Sequence, residues 1–300
     1  MEKPWLLADK SAIQTLSTAK RLKLHEQYTL MVPALLVTEI AADLSKAQSR
    51  LDRTKEVSQL GGIRGVASLC AAFDFQSIMF PAFHANNVVR ELEHAKLGLP
   101  VPQTSFMLDD KKLFYATALD RMQNGTPSED ELALSNEWRP IAQSTLEEYS
   151  AVARSHGLHP PTAKSIEGAL ALAKAELELP IVASWPSLFL QQCGSDSFYK
   201  RYTELPANVT AKPLQEWAPY TYHCLVVFLF GLIAWRDKLI RTSNSANHEL
   251  DLQYLYYLPF CHVFCSADDI HKRLAVPLLK DWQDFRAPSD LLPKPEEPVT

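Results

Sequence analysis

Glycine is scarce in this 300-residue chain, nine residues against twenty prolines, and no glycine/serine run occurs. That leaves little room for flexible low-complexity linkers. Basic residues are not in excess: 30 Lys and Arg against 35 Asp and Glu give a net charge of −5. A globally basic nucleic-acid coat protein is thereby excluded, whereas an enzyme that gathers acids around a cation is not. Met1 to Pro4 have no basic segment leading into an apolar one, so no secretory signal is expected. The strongest apolar run, residues 224–235, is short of the ~20 residues that cross a bilayer. It predicts a buried core helix, and no membrane partner is expected. The five cysteines are odd in number and include no CxxC pair. They read as reduced, buried thiols of a cytoplasmic protein rather than as a zinc site.

What is present suits a globular chain with a sizeable core: 47% apolar and 22% charged residues. Trp5-Leu6-Leu7-Ala8 is a short apolar run ending at Asp9, the pattern of a buried strand. Residues 11–26 carry Ile13, Leu16, Leu22 and Leu24 at helical spacing. Thr29-Leu30-Met31-Val32 predicts a second strand, stopped by Pro33, and Leu36, Val37, Ile40 and Leu44 predict a second helix after it. From about residue 63 to 240 the patterns are mostly helical and separated by prolines. Strand signals return late. Residues 250–258 predict a short helix opened by Asp251, and His262-Val263-Phe264-Cys265 predicts a strand followed directly by Ser266-Ala267-Asp268-Asp269. The expectation is an α/β fold whose short parallel sheet is built from residues 1–60 and 245–290. An all-α insertion would occupy 61–244, and a loose tail 291–300.

Four acids fall where such a sheet would build a metal site: Asp9, Glu39, Asp251 and Asp268. Ligands of open parallel sheets bind outside the carboxyl ends of the strands. Asp9 and Asp268 follow strands there, and helices could bring Glu39 and Asp251 beside them. Crowded carboxylates repel one another unless a hard cation neutralises them, and oxygen-only ligands point to Mg²⁺ or Mn²⁺. Each acid also has a plainer reading. Asp9, Asp251 and Asp268 are all good helix N-caps, and Glu39 could be a solvated helix residue.

These segments resemble the PIN-domain nucleases. The opening Leu6-Leu7-Ala8-Asp9-Lys10-Ser11 is similar to that family's strand ending in Asp-x-Ser/Thr. Val32-Pro33-Ala34-Leu35-Leu36-Val37-Thr38-Glu39-Ile40 is similar to its Glu-bearing helix after a proline turn. Asp251-Leu252-Gln253-Tyr254-Leu255 and Val263-Phe264-Cys265-Ser266-Ala267-Asp268 are similar to its closing pair of motifs. The resemblance covers roughly the two ends of the chain. It implies a three-layer α/β/α domain with a large helical insertion. It also implies metal-dependent phosphodiester hydrolysis of nucleic acid, usually RNA, by Asp9, Glu39, Asp251 and Asp268. Ser11, Ser266 and Asp269 would stand behind these acids, the serines orienting Asp9 and Asp268. A protein regulator or antitoxin is a further partner compatible with it.

Lys46, Arg50 and Arg53, with Lys55 and Arg64, follow the Glu39 helix, and Lys20, Arg21 and Lys23 precede the second strand. Any of these could contact phosphates. Other phosphate chemistries fit less well. Position 11 is Ser, where a haloacid-dehalogenase-like phosphatase has a second Asp, and Gly61-Gly62 with Gly65 lacks a P-loop lysine. The competing class is a non-catalytic protein-interaction module, with the acids serving as caps on a PIN-like scaffold.

Overall fold

The computed structural model describes residues 3–33, 35–36, 39, 69–71, 129, 151, 161–178, 215, 219–240 and 248–292. Strand β1 (Trp5–Ala8) has three consecutive buried residues, Leu6, Leu7 and Ala8. A strand apolar on both faces must be covered on both, which is the situation inside a parallel sheet. β1 lies between β2 (Thr29–Val32) and β4 (Val263–Cys265), parallel to both. β3 (Leu69–Ala71) pairs with β2 and β5 (Asp284–Arg286) with β4, giving an all-parallel sheet in the order β3-β2-β1-β4-β5. The two ends of the chain therefore meet at the middle of one sheet, in an α/β fold.

Two of these strands differ from the expectation. β3 lies inside the stretch expected to be a helical insertion, so the sheet continues past residue 60. β5 has the sequence Asp-Phe-Arg, with too little apolar character to signal a strand, and it is fixed by pairing with β4. The expected helix over 11–26 is two helices, α1 (Lys10–Thr15) and α2 (Thr18–Gln27). The break has a local cause. The Ser17 hydroxyl accepts from Lys20 N at 3.3 Å and so caps a new helix, while Leu16 turns extended.

The helix over Ile166–Glu178 (α3) buries Ala169, Leu170, Ala173 and Leu177 along one stripe and packs on the helix over Pro219–Arg236 (α4). Every residue of α4 from Cys224 to Ala234 is buried, the pattern of a helix surrounded on all sides. Among the described residues, no helix is long and apolar enough to cross a membrane. Lys238, at φ 57°, sits in the left-handed turn that ends α4. Leu239 N donates to Ala234 O at 2.9 Å and Lys238 N to Trp235 O at 3.0 Å, closing the last carbonyls. On its other side α4 meets α5 (His248–Leu255), where the Cα of Gly231 approaches Leu252 closely. Cys224, Cys261 and Cys265 are buried in this core as thiols outside any disulfide. The expected helices between residues 88 and 156 and the end of the tail fall outside the described residues, apart from isolated helical positions.

Candidate functional site

The strand order sets the location. From β1 the chain builds β2 and β3 on one side, and β4 and β5 lie on the other. The carboxyl ends of β1 and β4 therefore flank a topological switch point, where parallel sheets open a crevice. Asp9 is the first residue after β1 and Ser266 the first after β4.

Asp9 is buried, and the protein surrounds its carboxylate with donors. Oδ1 accepts from Ala12 N at 2.7 Å, the N-cap bond of α1. Oδ2 accepts from the Ser266 hydroxyl at 2.7 Å and lies 2.8 Å from His271 Nδ1. The Ser11 hydroxyl is shared between both oxygens at 2.8 Å and itself accepts from Ala267 N at 3.1 Å, stitching the end of β1 to the end of β4. Burial alone would raise this carboxyl. The bond and charge of His271, with the Ser266 and Ala12 bonds, hold it below the usual carboxylate range instead. The capping role and the site role of Asp9 are thus the same geometry.

His271 lies in α6 (Asp269–Ala275), a helix capped by Asp268, whose Oδ1 accepts from Ile270 N at 2.8 Å. Its ring is 1% exposed and boxed edge-on by Phe264 and Tyr254. Nδ1 faces the Asp9 carboxylate, and Nε2 lies 3.0 Å from the Asp251 carbonyl oxygen. Acceptors at both nitrogens require both to carry protons, so the ring is an imidazolium. Burial works against that charge, yet Asp9, Asp251 and Asp268 raise the ring to about 9.

The other expected acids gather around this pair. Glu39 is helical and reached by Tyr254, whose hydroxyl donates to Oε2 at 2.5 Å. Burial raises the Glu39 carboxyl, Tyr254 and Lys10 offset part of that, and the charge of Asp9 adds to the rise. Asp251 is not the N-cap expected. It lies inside α5, which starts at His248, and its Oδ1 is 3.9 Å from His271 Nε2. Burial, with repulsion from Asp268, Glu39 and Asp9, pushes Asp251 up to about 7 against the pull of His271. Asp251 therefore senses the charges of Asp268, Glu39 and Asp9, and Glu39 that of Asp9.

Among the described residues, no three His, Cys, Asp or Glu side chains stand in a ready-made metal-ligand arrangement. Ser11 and Ser266 both bond to Asp9. Ser266 also accepts from Asp268 N at 2.9 Å, so it ties the two acids together, whereas Asp269 is exposed in the first turn of α6. Lys46, Arg50 and Arg53 lie outside the described residues. Arg21, grouped with the basic candidates, is buried and so is not a phosphate contact, while Lys20 and Lys23 are exposed. Tyr254 is the site residue that sequence reasoning missed, and His271, near these acids in sequence, reads there as a structural histidine and is not promoted. Their faint signal is spacing, three residues beyond Asp251 and Asp268 respectively, which puts each on its acid's helix face. No family model matches the chain, and no curated protein or solved structure matches it either.

Proposed function

We propose that this protein hydrolyses phosphodiester bonds of nucleic acid, RNA in the first place, with Mg²⁺ or Mn²⁺ held by the acids at the β1/β4 edge. The observation that carries the reading is the convergence of Asp9, Glu39, Asp251 and Asp268 at the switch point around one buried imidazolium. Two of the four, Glu39 and Asp251, are raised by burial above all, with the charge of neighbouring acids adding to the rise. Hard oxygen donors gathered in this way fit a divalent cation of this kind. Such a cation, when bound, offers charge for the scissile phosphate and makes water a better nucleophile. The chain's own part is positioning. Tyr254 orients Glu39, and Ser266 with the cap bond of α6 fixes Asp268. The motif resemblance to PIN-domain nucleases, with a three-layer α/β/α domain and an inserted helical region, belongs to the same reading.

A second reading is favoured by one observation, the satisfaction of Asp9 by protein donors. In it the cluster is a structural clasp of a non-catalytic interaction module. The two separate in a cleavage assay on labelled single-stranded RNA. Under the first reading wild type cleaves with Mn²⁺, stops with chelator, and loses at least ~100-fold in rate on Glu39→Gln, about 2.7 kcal/mol of barrier. Equal, chelator-indifferent traces from both proteins establish the second.

A further inference from the structure

We infer that Lys10 is the side chain that meets a backbone phosphate of the nucleic acid beside the acids, so that the site holds its substrate as a polyanion, by charge rather than by base identity. This rests on the hydrolase reading above and deepens it. Lys10 is the first residue of α1, between Asp9 and Ser11, at the carboxyl end of the central strand. Its two neighbours are engaged with the protein itself. Asp9 caps α1 and faces His271, and the Ser11 hydroxyl bonds to Asp9. Lys10 is half-buried, and its Nζ donates to Glu39 O at 3.5 Å, across to the Glu39 helix. Its charge also draws the Glu39 carboxyl down. The ammonium therefore lies at the same edge as the acids.

Among the described residues, Lys10 and His271 are the cations that act on Glu39, and they differ in what they can reach. His271 is 1% exposed with acceptors at both ring nitrogens, so its charge serves the protein's interior. Lys10 is in part open to solvent and carries its charge on a flexible stem with several donors. A phosphodiester approaching Asp9, Glu39, Asp251 and Asp268 is repelled unless a cationic group accompanies it. The bond from Lys10 to the Glu39 carbonyl is long. A phosphate oxygen offers the ammonium a shorter, charge-assisted bond while the stem keeps its place. A lysine contact of this kind positions the backbone and carries no sequence information.

The test is steady-state cleavage of labelled single-stranded RNA with Mn²⁺ between about 50 and 200 mM KCl, with melting temperatures taken on the same samples. Lys10→Met keeps the stem and removes the charge. It should raise KM at least ~10-fold at the lowest salt, with a smaller effect on kcat. It should also flatten log KM against log salt by about 0.7, the signature of one lost contact to a single strand. Lys10→Arg should bring KM back to within about threefold of wild type and restore the slope. If the methionine variant does not fold, Lys10→Gln gives the same comparison. An unchanged KM and slope in Lys10→Met, or an arginine variant as impaired as it, overturns this inference and leaves the hydrolase reading standing. A fall in kcat at constant KM does the same, since it puts Lys10 behind Glu39 rather than on the substrate. No cleavage by wild type overturns both.

Discussion

The Asp9 carboxylate and the His271 imidazole, 262 residues apart in the chain, meet at 2.8 Å with both groups almost wholly buried. The contact joins the end of the central strand to the first turn of α6. It explains how one acid can cap a helix, bind two serines and still remain ionised. A buried ion pair is weak evidence for net stability, because desolvation offsets most of its attraction. Removing one partner is a different matter.

His271→Ala leaves Asp9 charged, buried and short of its strongest donor, so a loss of about 3–5 kcal/mol is expected. Asp9→Asn should cost less, since Asn caps α1 about as well as Asp does and keeps a polar partner for Ser266. Urea denaturation of the two variants at pH 7 checks the ranking. A His271→Ala loss smaller than the Asp9→Asn loss contradicts it.

Stability should fall on the alkaline side. His271 is raised from 6.5 to about 9, so its contribution is complete below pH 6.5 and is lost as pH rises through 9. Asp251, raised from 3.8 to about 7, acts in the same direction at lower pH, its contribution disappearing as pH climbs through 7. His223 has the opposite sign. Burial lowers it to about 4, and its contribution is present above pH 6.5 and lost as pH falls through 4. The limb from His271 amounts to roughly 3 kcal/mol between pH 6.5 and 9.5. Melting curves of wild type, Asp251→Asn and His271→Gln across pH 5 to 9.5 test this. The first substitution should flatten the curve around pH 7 and the second around pH 9.

Tyr254→Phe deletes the hydroxyl that Glu39 accepts from. Glu39 is already raised, so losing a donor to its charged form raises it further. The penalty therefore belongs to the ionised carboxylate, present at pH 8 and vanishing once the group is protonated. A loss of about 1.5–3 kcal/mol is expected at pH 8, the range for a bond to a charged group. Equal losses at pH 8 and pH 4.5 would count against the assignment.

Gly231 offers a test through packing. A Cβ there would fall 2.5 Å from both Cδ atoms of Leu252, the neighbour of Asp251. Leu252 is itself buried, so α4 and α5 must separate. Gly231→Ala should cost about 1–3 kcal/mol despite the better helix propensity of alanine. A variant that melts at or above the wild-type temperature shows that Leu252 can swing aside.

The legible parts of the fold share a physical feature. β1, β2 and β4 are continuous apolar runs bounded by Asp9, Pro33 and Ser266, and such runs announce themselves without knowledge of their neighbours. β3 and β5 have three residues each and exist because β2 and β4 present free ladder positions, which no local pattern reports. Asp9, Ser266 and Asp268 were readable because residues directly after parallel strands line the crevice. His271 was not, for its significance comes from a partner at the other end of the chain. Asp251 departs from its expected role. Its type suggested a cap, whereas the fold places it inside α5 and turns it toward His271.

The most direct measurement is the anomalous-scattering position of manganese in crystals of the protein soaked with Mn²⁺. The account predicts manganese at the carboxyl ends of β1 and β4, bonded to carboxylate oxygens of the acids gathered there. The absence of a peak at that edge would contradict it.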